Sequence, residues 1–478
     1  MGFLEQYTLK YPDGQVRNGT GCLLFDTFMK TYLFVIPSAF RVNAILRTDI
    51  YRTLTKQGNA RIVIVSPFAK EEKFKKEFAE AIHVPSVKLS LPLVRRISRM
   101  RDIILGINHP FFAKARAIER SITEHKVILK PTTKEITFAW LRAPLRPLRG
   151  ILAFCFDRLE ERVFRISAYD AACRSYAPNA VITGTVTEPE DAVWLAYARR
   201  FGASAHVVDM PWSYIENRVY APPRPAHLYA WTDAVRDEIK KYYNFPDRLI
   251  HVVGSQRYDW YAHGFPTYTR EEFLQKIGAD PAKKLITYFV GSSYLNPHEH
   301  DVAALILEAI KKGELPSDTQ LVVRIGWKQK VEEEFKRLLE EYDNFIIQEA
   351  DELPDQTYPS HLVYFSDVSM SSYSSLALDA AVLDRPSIFT GFAGSRFTHP
   401  DDASIARIYD YEFVKKALAT EGVRVAYDAT TFLSLIAGYI ADPLKDSENR
   451  HAMTKTFFGT IDGKAGERIA KSIIAFSK

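Results

Sequence analysis

The sequence predicts an α/β protein built from two Rossmann-like, doubly wound domains that face a cleft. Three observations lead there. Short apolar runs recur along the chain, most of them closed by Gly, Pro, Ser or Asp. Segments of helix length with an amphipathic pattern separate them. This alternation occurs twice, on either side of a turn-rich, charged stretch from Tyr261 to Lys284. The length of 478 residues agrees, because a single hydrophobic core seldom grows beyond about 250–300 residues.

In the first half, Tyr32-Leu33-Phe34-Val35-Ile36 reads as a buried strand that breaks at Pro37-Ser38. A helical pattern from about Ala44 to Lys56 and a second strand, Arg61-Ile62-Val63-Ile64-Val65, complete a βαβ unit, the seed of a parallel sheet. Ala180 to Gly184, Pro189 to Phe201 and Ala205 to Asp209 repeat the scheme, and so do His227 to Trp231, Asp233 to Tyr243 and Leu249 to Gly254. The second half begins with a strand over Leu285 to Val290, followed by Gly291-Ser292-Ser293. A helix over about Glu299 to Lys312, a strand over Gln320 to Arg324, a helix over Val331 to Glu341 and a strand at Phe345-Ile346-Ile347 follow. Asp367 to Met370, a helix over Ser374 to Leu383 and Ser387-Ile388-Phe389 come next, and Ala465 to Phe476 is a last amphipathic helix. The expected domains are residues 1–268 and 269–478, with the last helix a candidate to cross back.

A composition of 47% hydrophobic and 25% charged residues excludes a disordered, collagen-like or polytopic membrane chain. Cys22, Cys155 and Cys173 are odd in number and form no CxxC pair, so neither a disulfide framework nor a thiolate zinc site is expected, and a reducing cytoplasm fits. No apolar run approaches the 18 or so residues of a membrane span. The N-terminal stretch has neither the basic start of a signal peptide nor, with Gln6, the myristoylation pattern, and the sequon Asn18-Gly19-Thr20 is read as a chance match.

The formal net charge of +5 conceals an asymmetry. Residues 86–165 hold 17 basic and 7 acidic side chains, which leaves the rest of the chain at −5. Within this segment Leu93 to Leu105 and Trp140 to Arg149 alternate cationic and apolar groups. Such a surface suits an anionic membrane face, with the protein peripheral at the inner side of the cell membrane; the competing reading is two ordinary helices with solvated arginines. No nucleic-acid recognition motif accompanies it.

The most informative stretch runs from Asp367 through Ser369-Met370-Ser371-Ser372-Tyr373-Ser374-Ser375 to Asp379 and Arg385-Pro386. Hydroxyls gathered between a strand and a helix N-terminus suit a phosphate or diphosphate, because free backbone N–H groups and the positive end of the helix dipole converge there. N-capping alone needs one serine rather than four.

SYSSLALDAAVLDRPSIF resembles a motif of the CDP-glycerol glycerophosphotransferase-like enzymes and related surface-carbohydrate transferases of the GT-B fold. Trp231 to Glu238, Val253-Gly254-Ser255-Gln256-Arg257-Tyr258-Asp259 and Asp462-Gly463-Lys464-Ala465-Gly466-Glu467-Arg468-Ile469 are similar to further motifs of that group. The resemblance spans about residues 180–475, with a weaker part at 30–75, and leaves 86–165 outside. Two motifs depart from the family. Arg324-Ile325-Gly326-Trp327 stands where many members have R-x-H-P, and Thr183-Gly184-Thr185 stands nearest to an H-G-T-P segment. The resemblance thus implies transfer of a sugar, or related group, from a nucleotide-activated donor to a glycan or lipid-linked acceptor in surface polysaccharide or glycolipid synthesis. Alternatives are a CDP-glycerol-type glycerophosphotransferase, a nucleotide-sugar 2-epimerase, and a non-catalytic nucleotide-sugar or polyanion-binding protein.

On this reading Gly291, Ser292 and Ser293 let the donor diphosphate approach the backbone and Arg324 neutralises it. Ser371, Ser372, Ser374, Ser375 and Asp379 complete the donor site. Asp209 and Glu216 are the candidates for the base that an inverting transfer requires. The nucleotide-activated sugar is a co-substrate, and neither a cofactor nor a metal is expected. No DxD-like pair ends a strand; Asp401-Asp402 reads as a solvated turn, and His298-Glu299-His300 as the start of a helix rather than a ligand set.

Overall fold

The computed structural model describes residues 29–477 except 58, 88–93, 95, 98–99, 102–116, 118–123, 125–127, 129, 142, 186–188, 213–225, 244, 293–294, 327–331 and 351–356. Its strands form two parallel sheets. The first contains β1 (Lys30–Val35), β2 (Ala60–Ser66), β3 (Ile82–Pro85), β4 (Ala180–Thr183), β5 (Ser204–Met210), β6 (His227–Ala230) and β7 (Ile250–Val252). Their spatial order is β3-β2-β1-β4-β5-β6-β7. The second contains β8 (Lys284–Phe289), β9 (Thr319–Ile325), β10 (Phe345–Glu349), β11 (Val368–Ser371), β12 (Ser387–Thr390) and β13 (Arg424–Ala426), in the order β10-β9-β8-β11-β12-β13. Each sheet starts in its middle, winds out to one side and then to the other. The reversal falls between β1 and β4 in one sheet and between β8 and β11 in the other, and such switch points leave a crevice at the strands' carboxyl ends.

Burial of both faces explains the continuous apolar runs. In β1, Leu33 and Val35 join a cluster with Trp194 and Tyr197, whereas Tyr32 and Phe34 join one with Ile50, Leu54, Ile469 and Ile473. β8 divides in the same way, Ile286 and Tyr288 packing with Val302 and Ile306, and Leu285 and Phe289 with Phe273 and Leu362. The period of two along a strand therefore fills two cores at once.

The helix expected over Ala44 to Lys56 is broken in two. A π-helical turn covers Val42–Leu46 and an α-helix covers Asp49–Thr55. The break is at Thr48, whose hydroxyl donates to the carbonyl of Ile45 (2.6 Å) and accepts from the Ile50 N–H (3.3 Å), capping a new helix. Edge strands β3 and β13 have no counterpart in the apolar pattern, because neither is buried along its length. Within the turn-rich stretch, Thr269 and Glu272 form a capping box that starts a helix over Arg270–Lys276.

The last helix, Ala465–Phe476, packs on the first sheet. Asp259 accepts from the backbone N–H groups of Ala465 (3.1 Å) and Gly466 (2.6 Å), and Lys30 donates to the carbonyl of Ser477 at 3.0 Å. Gly466 is needed for the close approach, since a Cβ there would lie 3.1 Å from the amide nitrogen of Ile50. A further apolar cluster joins the two sheets, combining Trp231 and Tyr258 with Leu378, Phe389, Phe413 and Phe458.

One polar cluster interrupts this packing. His206 (β5), His227 (β6) and His251 (β7) stack across neighbouring strands, and Phe476 of the last helix lies 4.2 Å from the His227 ring centroid. His227 Nδ1 and His251 Nε2 share one hydrogen bond at 3.0 Å. Burial, and then mutual repulsion, holds His206 well below its ordinary value, and His227 falls to about 4 by burial, His251 and Arg248. Burial also lowers His251. The unfolded chain therefore binds more protons than the folded one between pH about 6.5 and 4, so stability should hold above that window and fall as the pH drops through it. In denaturant unfolding at pH 7.5 and about 5, His227→Gln should lose less stability on acidification than the native chain; equal losses would exclude this origin.

Candidate functional site

The two switch points face the same seam, and each presents side chains held by unusually close packing. After β1, Arg41 runs across the carboxyl end of the first sheet and is only 2% exposed. It passes over Gly184, just beyond β4, where a Cβ would overlap its guanidinium. Its guanidinium donates to the hydroxyl of Thr185 and stands 3.7 Å from both Asp191 and Asp209. Thr183-Gly184-Thr185, the segment nearest to a family motif, thus serves as a passage for an arginine.

Asp209 lies within β5, one residue before its end, and is fully buried. Besides Arg41 it binds the guanidinium of Arg257, from the 3-10 turn Gln256–Ala262. Arg257 sits against the rings of Phe40 (4.4 Å) and Trp231 (5.0 Å), and its side chain is 20% exposed. As the anchor of two guanidinium groups, Asp209 is not the free carboxylate that a base at the cleft would be. Glu216, the other candidate base, lies outside the described residues.

On the second sheet, Gly291 and Ser372 follow β8 and β11, the strands that flank the switch point. Both address Glu299, the first residue of the helix Glu299–Lys311: the Gly291 N–H donates to Oε2 at 2.8 Å and the Ser372 hydroxyl to Oε1. Glu299 is 4% exposed, and burial pushes its carboxyl up to about 8 against the pull of these two donors. An internal carboxyl therefore occupies two donors that the sequence assigned to a diphosphate. Ser371 is buried, and its hydroxyl has no hydrogen-bond partner among the described residues. Ser375, the first residue of the helix Ser375–Val382, is exposed, Ser374 is partly buried beside it, and Ser292 is exposed after β8. Ser293 lies outside the described residues.

Arg324 is held on the other side of the sheet. It donates to the Glu349 carbonyl of β10 at 3.1 Å and stacks over Tyr358 at 5.0 Å. Asp379 belongs to the seam: it accepts from Tyr258 at 2.5 Å, and enclosure raises its carboxyl to about 6 although Tyr258 and Arg257 pull it down. Asp401-Asp402 is more than a solvated turn. Asp402 accepts from the N–H groups of Ala393 (2.9 Å) and His399 (2.8 Å), and Asp401 pairs with His298 at 2.8 Å, so both carboxylates organise the loop after β12.

Sequence reasoning missed Arg257 and Glu299 as site residues. Arg257 was visible only inside a matched segment. Glu299 read as an ordinary acid in a first helical turn, where a carboxylate is favoured in any helix. A cavity of about 470 Å³ lined by Arg270, Lys284, Asp367 and Arg385 opens at the amino ends of the second sheet's strands, away from the seam.

Asp379 permits a direct check. Its carboxyl is raised on folding, so its favourable contribution is complete below pH about 3.8 and is lost as the pH rises through about 6. Relative to Asp379→Asn, the native chain should lose stability between pH about 4 and 7 and then level off; a difference independent of pH in denaturant titrations would refute the upward shift that burial imposes on the Asp379 carboxyl.

No protein-family model and no curated protein sequence matches the chain. Similarity is found among solved structures. The Neisseria meningitidis UDP-GlcNAc 2-epimerase, solved with UDP-GlcNAc, aligns with a TM-score of 0.54 at 12% identity, covering 93% of this chain and 100% of that one. The S. aureus MnaA–UDP structure gives 0.53 at 13% identity, covering 94% and 97%. UDP-GlcNAc 2-epimerase from Methanocaldococcus jannaschii gives 0.51 at 12%, covering 94% and 100%. Two of these three neighbours are UDP-GlcNAc 2-epimerases, and none of the three is described as a CDP-glycerol enzyme. The chain has the two-domain, GT-B-like α/β fold that they share over nearly its whole length.

Proposed function

We propose that this chain binds a nucleoside-diphosphate sugar in the seam between its sheets and acts on the sugar. The observation that carries this reading is the contact of Tyr258, the neighbour of the aromatic-flanked Arg257, with Asp379 in the helix that the serine-rich turn 371–375 opens, which brings the two sheets together there. Ligands of open parallel sheets bind at switch points. On this reading Ser374, Ser375 and the start of their helix take phosphate oxygens and Arg257 neutralises them. Ser371 and Ser372 lie behind, Ser292 flanks the sugar side, and Arg324 shapes the carboxyl end of β9. Glu299, which carries a proton near neutral pH, is the acid candidate. Asp209 positions Arg257, and Glu216 remains the candidate base.

Two reactions are compatible with this arrangement. The likeness to UDP-GlcNAc 2-epimerases over nearly the whole chain favours inversion at the sugar's C2, with the nucleotide sugar as the only substrate. The apolar face described next favours transfer to a lipid-linked acceptor. Incubation with UDP-GlcNAc separates them, since a C2 epimer still bearing UDP supports the first and acceptor-dependent release of UDP the second. In calorimetry, Ser374→Ala with Ser375→Ala, and separately Arg257→Ala, should each weaken UDP binding by about tenfold or more. No affinity of the native chain for UDP or other nucleoside diphosphates would overturn the reading.

We further propose that the helices Thr133–Leu141 and Arg149–Val163 contact an anionic membrane surface. No helix among the described residues is long and apolar enough to cross a membrane. The Arg149–Val163 helix has two apolar faces. Ala153 and Phe156 pack inward, where Glu160 is locked between Arg101 and Arg199, while Ile151, Phe154 and Leu159 face outward. Trp140 and Leu141 of the preceding helix are 76% and 69% exposed, Lys134, Arg158 and Arg162 are exposed as well, and Arg158 lies over the Phe154 ring. Each large side chain entering an apolar interface contributes up to about 1.5–3 kcal/mol, and each cation near an anionic surface about 1 kcal/mol. Flotation should show binding to phosphatidylglycerol-containing vesicles, loss of binding at high salt, and at least about a tenfold loss in Trp140→Ala with Phe154→Ala; equal binding by this variant would sink the idea.

A further inference from the structure

The loop after β12 and the start of the Glu299–Lys311 helix bring together three side chains that the proposed nucleotide site does not use. His298, His399 and Asp401 each place one ligand-type atom within 4.8 Å of the other two. His298 Nε2 stands 2.8 Å from Asp401 Oδ2, His399 Nδ1 stands 3.8 Å from the same oxygen, and the two rings meet edge to face with centroids 4.5 Å apart. Ligands at about 2.0–2.2 Å from a tetrahedral zinc ion lie somewhat over 3 Å from one another. A modest parting of His298 from Asp401 therefore admits an ion between them. We propose that His298, His399 and Asp401 bind one divalent ion of the zinc type, with a fourth position open to solvent at the rim of the seam.

Three features support a built site. First, the backbones that carry the ligands are fixed. Asn296, itself fully buried, accepts from the His298 N–H at 2.9 Å and donates to the Phe392 carbonyl at 3.3 Å, and Asp402 holds the N–H groups of Ala393 and His399. Second, the nitrogens can present lone pairs. His399 Nδ1 accepts from the Asp401 N–H at 3.2 Å, so that nitrogen carries no proton in that arrangement, and its single lone pair turns from this N–H to the ion on binding. For His298, the ring proton moves to Nδ1, where Asp301 stands at 3.6 Å, and Nε2 is freed for the ion; a carboxylate behind a ligating imidazole is the usual way of fixing this tautomer. Third, two imidazoles and one carboxylate form a nitrogen–oxygen set that suits zinc better than calcium or magnesium. His300, although adjacent in sequence, faces Glu332 at 3.2 Å and stands apart from the set.

An ion here would fasten the loop after β12 to the helix whose first residue is Glu299. The inference does not depend on the proposed reaction, because the probe is Zn²⁺ itself. The full chain, stripped with chelator and free of affinity tags, should bind one Zn²⁺ saturably in calorimetry, and Co²⁺ should give visible d–d absorption. His399→Ala and Asp401→Asn should each lower affinity by about 10–100-fold, while His300→Ala and Cys155→Ser leave it unchanged. Circular dichroism and the melting midpoint of each apo variant verify that it is folded, and the conservative Asp401→Asn serves if His399→Ala is not. Absence of saturable binding, or binding that survives both ligand substitutions or disappears with Cys155→Ser, would overturn the site.

Discussion

The arrangement depends on one capping interaction, the carboxylate of Asp259 on the N–H groups of Ala465 and Gly466. The first N–H groups of a helix have no partner within it, and a buried helix end needs an acceptor from elsewhere. Asp259 supplies that acceptor from a turn 206 residues earlier. The capped helix brings Ile469 and Ile473 to the first sheet and completes the cluster that contains Tyr32 and Phe34. The same short turn, Gln256–Ala262, directs Arg257 to Asp209 and Tyr258 to Asp379. Closure of the last helix and the geometry of the seam are thus two outcomes of one turn.

Charge in the seam is arranged by compensation. A fully buried carboxylate such as Asp209 is tolerated only beside cations, and Arg41 and Arg257 provide them. Arg41 reaches its place because Gly184 has no side chain, so a glycine at the end of β4 and an arginine after β1 form one device. On the second sheet the buried Glu299 is met by two donors, Gly291 and Ser372, while burial pushes its carboxyl up to about 8. The first sheet therefore presents an exposed part of a paired cation, and the second a hydrogen-bonded acid and hydroxyls.

Two of the segments that resemble transferase motifs have a structural explanation. Val253 to Asp259 and Asp462 to Ile469 meet each other: Arg468 donates to the Val253 carbonyl at 3.0 Å, Asp259 caps the helix, and Gly463 packs beneath Ala262 and His263. They belong to the crossing of the chain between sheets. A shared crossing predicts a shared fold, which is how far the similarity to the epimerase structures also extends.

The alternation of apolar runs with helix-length segments determined two doubly wound sheets, because strands buried on both faces must be apolar at every position, as in Tyr32 to Ile36 and Leu285 to Phe289. The serine turn 371–375 at a helix start was legible for the same local reason. β3 and β13 were not, since an edge strand needs no apolar run, and the break at Thr48 depended on one hydroxyl's choice of partners. Only the tertiary structure decided that Gly291 and Ser372 turn to Glu299, that Asp209 is engaged by arginines, and that His298 meets Asp401, 103 residues away. Periodicity reports which face of an element is buried. Which polar groups meet at a site depends on how the chain returns after each crossover, and no local pattern contains that distance.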